Sequence, residues 1–168
     1  VFAAPPCSTF SVSRLLHAAG SKDGGPPPVR DRQHIMGLPQ VPASHVRELE
    51  DANEIVRRTF AILTAAAEAG SECAVEHPPD RGDPSRTLLF MHSRHGPLWL
   101  VPVVESFGKR FHAQTATFPQ CAFGADYQKY TTLMFTPGLH ALARLDGTRC
   151  THTSHAKIAG GEVQDDAF

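Results

Sequence analysis

VFAAPPCSTFSVSR, residues 1 to 14, is the stretch on which the reading of this chain turns. Four apolar residues, Val1 to Ala4, have the character of a buried strand end. Pro5 and Pro6 cannot continue a central strand, because neither carries an N–H for the ladder. The chain must leave the sheet at Pro5 in a stiff direction, and Cys7 follows at once. Open α/β sheets place their ligands at the carboxyl ends of their strands. Cys7 is therefore a candidate thiol nucleophile held at a sheet edge, set against the plainer reading of a buried free cysteine.

At 168 residues the chain has room for one domain with a real core. Its 16 basic and 17 acidic residues nearly cancel, which excludes a protein that coats nucleic acid through a broad basic surface but leaves room for a local basic site. The ten histidines make the charge sensitive to mild acid. Cys7, Cys73, Cys121 and Cys150 are scattered, with no signal peptide ahead of them. That is a poor disulfide framework and points to a reducing, intracellular compartment. No apolar run approaches the roughly 20 residues that span a bilayer, so no membrane partner is expected. The chain opens on Val inside a strand, and is read as part of a longer protein.

Outward from the opening strand, Ser8 to Ala43 is a polar stretch whose GGPPP at 24–28 excludes a helix through most of its length. It carries Arg14, Arg30, Arg32 and His34, which suits a functional loop. Ser44 is placed to cap a helix running to about Ala69 and closed by Gly70. Along it Val46, Leu49, Asn53, Val56, Phe60, Leu63 and Ala67 form a stripe at three- and four-residue steps, apolar except for Asn53. Glu72 to Val75 reads as a second strand, ended by Glu76, His77, Pro78 and Pro79. A loop to Gly96, a short helix to Phe107, strands at 111–118 and 131–135 and a short helix at 137–145 follow. Strands alternating with helices predict an α/β fold: an open, mostly parallel sheet with flanking helices over residues 1–145, then a Cys/His-containing tail, 146–168.

A strand–helix–strand crossover usually sets its strands side by side with one hand. Cys7 and Glu76 then share one carboxyl edge. A thiol beside a carboxyl group that can gain or lose a proton is a two-group arrangement for covalent catalysis.

These residues resemble a family. APPCSTFS is similar to the nucleophile motif of DNA (cytosine-5) methyltransferases, VEHP at 75–78 resembles their Glu-Asn-Val motif, and FPQ at 118–120 resembles the opening of their glutamine–arginine motif. The resemblance implies a Rossmann-like methyltransferase fold, incomplete here, and methyl transfer from S-adenosylmethionine to C5 of cytosine in DNA. Cys7 would add to C6 of a base swung out of the duplex, and Glu76 would bond N3. Pro6, Ser8, Ser11 and Gln120 would line the substrate site. Arg14, Arg30 and Arg32, on the loop that would close over DNA, would contact phosphate. The chain departs from the pattern at His77, where the family has Asn, and at Ala122 and Gly124, where it has arginines. Lys129 is placed to substitute as a point charge. The Gly-rich cofactor motif would lie upstream of Val1.

CTHTSH at 150–155 supplies Cys150, His152 and His155, which with Cys121 make two thiols and two imidazoles, a donor set suited to zinc. The alternative is a polar tail with incidental histidines. For the chain as a whole the alternatives are a catalytically inactive methyltransferase-like nucleic-acid-binding domain of a mobile element or viral polyprotein, and an unrelated cysteine hydrolase pairing Cys7 with one of the histidines.

Overall fold

Between Pro42 and Gly70 the chain has no proline or glycine, and its apolar residues recur at helical spacing. A computed structural model, which describes residues 1–16, 25–155, 157–158 and 161–162, accordingly places a long helix there. In chain order the elements are β1 (Phe2–Ala3), α1 (Ser13–Leu16), α2 (Ala43–Glu68), β2 (Ala74–His77), α3 (Pro102–Arg110), β3 (Gln114–Pro119), β4 (Tyr127–Gln128), β5 (Tyr130–Phe135), β6 (Lys157–Ile158) and β7 (Gly161–Glu162). Short 3-10 turns lie at Ser8–Phe10, Leu98–Leu100 and Gln120–Phe123, with a longer 3-10 segment at Pro137–Leu145.

The cap of α2 is Pro42, not Ser44, and no side chain bonds the first turn. A proline just ahead of the first turn already fixes a suitable φ. At the other end Gly70 takes φ +83°, a left-handed residue that stops the helix. Leu49, Ala52, Val56, Phe60 and Leu63 are buried, whereas Val46, expected in the stripe, is largely exposed.

The fold is mixed α/β. Its main sheet has the order β1-β2-β5-β3. β1 and β2 are parallel, in the register Phe2 with Ala74 and Ala3 with Val75. β5 is antiparallel to both β2 and β3. Three strands therefore run one way with β5 inserted against them, and only one of the three hydrogen-bonded pairings is parallel. The expected mostly parallel pairing fails at β5 because the 120–129 connection turns straight back from β3, and so short a return can only be antiparallel. β4, β6 and β7 form a second, small sheet.

Strand alternation sorts the faces. On one side Val75 joins Phe10, Val56, Phe60, Leu63, Leu98, Val104, Phe107 and Met134 beneath α2 and α3. On the other, Ala74, Ala116, Leu133 and Phe135 meet Leu139, Leu142 and Leu145 of the 137–145 segment. Truncating a fully buried ring such as Phe60 removes about 3–5 kcal/mol from a core of this kind. No helix among the described residues is long and apolar enough to cross a membrane.

Candidate functional site

Because β1 and β2 are parallel, both deliver their chains to one edge. Position 4 is level with Glu76, and Cys7 follows three residues later, roughly 10 Å of chain at full extension. Pro5 is buried, while Pro6, Cys7 and Ser8 are exposed. The turn is pinned by the Phe10 N–H, which donates to the Cys7 carbonyl at 2.9 Å. The Cys7 thiol is free and exposed.

Glu76 was expected just past its strand; it lies inside it, opposite Leu133. Its Oε1 receives the Lys129 ammonium at 3.3 Å and the Thr131 hydroxyl. Both contacts fall on one oxygen, so Oε2 has no side-chain partner among the described residues. Lys129 therefore meets the carboxylate directly, as a point charge from the residue just before β5, the strand next door. Thr131 was not foreseen; an isolated threonine in a strand carries no signal of that kind.

His77 follows Glu76 but faces the opposite side of the sheet. It is buried edge-on against Phe10, at 5.3 Å between centroids, and near Trp99, at 6.0 Å. Burial lowers its pKa to about 3, so the ring is neutral. The Pro6 and Pro78 carbonyls lie close enough to favour its charged form weakly, but short of hydrogen-bond geometry, and both ring nitrogens remain unpartnered. His77 supports the Pro5-Pro6-Cys7 turn from below by packing.

His95 was read as a solvated loop residue, yet it is buried. Its Nδ1 accepts the Arg81 N–H at 3.0 Å, which leaves Nε2–H to donate to the Phe10 carbonyl at 2.9 Å. It thereby ties the loop after β1 to the loop after β2. Gly96 beside it has no room for a side chain: a Cβ there would stand 2.6 Å from the Asp31 carbonyl oxygen.

The loop arginines turn inward. Arg14 is buried and donates to the Ser8 and Pro27 carbonyls at 2.9 and 3.0 Å, and to Glu48. Arg30 is buried across the Phe10 ring, 3.8 Å from its centroid, and donates to Ile35, Asn53 and Thr9. Burial first, and then the neighbouring Arg14 charge, lower its pKa to about 10. Arg32 is partly exposed and paired with Asp80 at 2.9 Å. In this conformation Arg14 Nε, Nη1 and Nη2 and Arg30 Nη1 and Nη2 donate to the protein, and Arg30 Nε is buried with no partner among the described residues, where phosphate contacts were expected of both side chains. Ser11 bonds Ser13 beside the same turn, and Gln120 donates its N–H to the Lys129 carbonyl at 2.8 Å. Pro6 and Ser8 are exposed next to Cys7.

A second constellation lies beyond β3. The donor atoms of Cys121, Cys150, His152 and His155 all lie within 4.8 Å of one another. Cys150 Sγ is 3.5 Å from His152 Nδ1 and 3.2 Å from His155 Nε2. Metal–ligand bonds of about 2.0–2.3 Å spread tetrahedrally place ligand atoms at similar separations. The four residues could hold a metal ion. Burial and the adjacent Cys150 thiol raise the pKa of Cys121 in the bare cluster.

A cleft of about 280 Å³ lies between the 85–89 turn, Tyr130 and residues 146–149, and an apolar groove of about 460 Å³ between Met36, Val56 and Val101. Neither is lined by Cys7 or Glu76. The turns after β1 and β2 run into Pro5-Pro6 and Pro78-Pro79, with no glycine at which a backbone could approach a nucleotide closely. These two turns therefore do not fit S-adenosylmethionine. No family model, no curated protein and no solved structure matches this chain.

Proposed function

We propose that this chain is the catalytic and target-base-binding part of a DNA (cytosine-5) methyltransferase-like protein. One observation supports the reading: β1 and β2 are parallel, so the turn that carries the exposed Cys7 thiol leaves the sheet at the edge toward which β2 runs, and Glu76 is the third residue of that strand. In this reading the four strands are one part of a Rossmann-like sheet that continues beyond β1, the side on which Val1 and Phe2 are exposed.

The chemistry of these residues concerns the base alone. The Cys7 thiolate forms a bond to C6 of an extruded cytosine, and the C5–C6 π pair moves to C5, conjugated with N3. Glu76, acting as the carboxylic acid, donates the proton on the oxygen that Lys129 and Thr131 leave open to N3 and so neutralises the charge that gathers there. C5 is then nucleophilic. Loss of its proton after it has reacted returns the electron pair and expels the thiolate. S-Adenosylmethionine would supply the methyl group from a site outside the two turns described, and DNA would be the partner. A free, exposed thiol suits the intracellular compartment that goes with such a role.

The Cys121, Cys150, His152 and His155 cluster is assigned in the same reading to zinc. Four protein donors fill a tetrahedral shell and leave no position for a reactant, so the metal's contribution is structural.

The test is transfer of a labelled methyl group from S-adenosylmethionine to DNA by the full-length natural protein. Label in cytosine that disappears with Cys7→Ala supports the proposal. A protein that binds DNA and the donor yet transfers nothing overturns it in favour of an inactive, nucleic-acid-binding relative.

A further inference from the structure

We infer that the metal fastens a conditional module, made of residues 121–128 and the segment carrying Cys150, His152, His155 and β6, which comes apart when the ion leaves while the main sheet stays folded. The inference rests on the zinc reading and adds to it a division of the molecule into two units of different stability.

Apart from the Phe123 ring set edge-on against Phe118 of β3 at 5.5 Å between centroids, the module has little else to hold it. Cys121 is the one buried side chain in 120–129; Ala122, Phe123, Asp126, Tyr127 and Gln128 are exposed. From 149 to 155 only Cys150 and His155 are even half-buried. Among the residues whose side chains are described, none of 120–129 or 149–155 belongs to the two apolar clusters. The strand pairings are minimal: Tyr127 with Lys157 and Gln128 with Ile158, then Lys157 with Glu162 and Ile158 with Gly161. Ladders of two residues do not persist alone in water. Small units lacking a core are held by disulfides or metals, and the cysteines here are free. The ligands also join the right places, since Cys121 comes from one segment and the other three donors from a segment 29 positions on.

The main sheet needs no such help. β5 pairs with β3 over six residue pairs and with β2 over four, between two apolar clusters. The boundary falls at the base of the loop, where the Gln120 N–H meets the Lys129 carbonyl and Pro119 pairs with Tyr130. Lys129 is on the sheet side of that boundary, so the Lys129–Glu76 contact survives metal loss.

Hydrogen exchange of the full chain, read by mass spectrometry with zinc present and after removal by a chelator under reducing conditions, tests this. One bound zinc per chain, and amides of 121–128 and 150–155 that exchange on the order of tenfold faster or more after its removal, with 74–77 and 130–135 unchanged, is the expected result. Cys150→Ser should give the same pattern without chelator, and His152→Ala a milder version should the serine variant fail to fold. Unchanged exchange after stoichiometric zinc loss overturns the inference while leaving the zinc reading intact, as does equal acceleration in β2 and β5. A chain that holds no zinc and takes up neither zinc nor cobalt(II) overturns the zinc reading itself, and the inference with it.

Discussion

Lys129 Nζ stands 3.3 Å from Glu76 Oε1, so the cation that orients the candidate carboxylate comes from the residue just before the neighbouring antiparallel strand. Removing the ammonium while keeping the stem, Lys129→Met, should lower turnover of the methyl-transfer reaction roughly tenfold, from the loss of about 1.5 kcal/mol in a charge-assisted contact. Lys129→Arg should recover part of it. Steady-state kinetics check this; a Met variant with unchanged kcat would show that Thr131 alone suffices to hold Glu76.

Arg14 is a structural residue on this account. Arg14→Met should cost about 2 kcal/mol in denaturant unfolding, because it strands the Pro27 carbonyl, leaves the Ser8 carbonyl only the long contact from the Ser11 N–H, and leaves Glu48 with His45 alone. The salt dependence of DNA binding should not move. A phosphate contact would instead lower the slope of log K against log salt by about 0.9.

His77 makes stability depend on pH. Its value is about 3 in the folded chain against an ordinary 6.5 when unfolded. Below pH 6.5 the unfolded chain takes up a proton that the folded chain refuses, so stability is lost as pH falls from about 6.5 toward 3, by up to ~1.4 kcal/mol per pH unit. Urea midpoints at pH 7.5 and 5.0 should therefore lie closer together for His77→Phe than for the natural protein. Equal gaps in the two proteins would mean that the ring is charged, or that it is solvated, in the fold.

How much of this was legible in the sequence follows from what each element depends on. The long helix depends on local periodicity between Pro42 and Gly70, and its bounds were readable to within two residues. The exit of the first strand before Pro5 was readable because proline withholds a donor, whereas the second strand, read as ending at Val75, runs on through Glu76 to His77, next to Pro78. The direction of β5 was not, since it is set by how the 120–129 connection returns, and no residue in that loop announces its path. The arginines of a proline-rich loop look solvated in a sequence; Arg14 and Arg30 turn inward because backbone carbonyls at Ser8, Pro27 and Ile35 need donors. The donor types of the second cluster were plain, but only folding brings Cys121 to Cys150. Thr131, His95 and Asp80 act through contacts 55, 85 and 48 positions apart, beyond the reach of any local pattern.

The central claim is that Cys7 adds to cytosine C6 with Glu76 assisting at N3. Exchange of tritium from 5-tritiated cytosine in DNA into water, without any methyl donor, tests it most directly, because addition of the thiolate lets C5 exchange its hydrogen before the thiolate leaves. The account predicts tritium release by the natural protein, loss of release with Cys7→Ala, and strong reduction with Glu76→Gln. Release that persists in Cys7→Ala, or none above background from a folded protein bound to the same DNA, would contradict it.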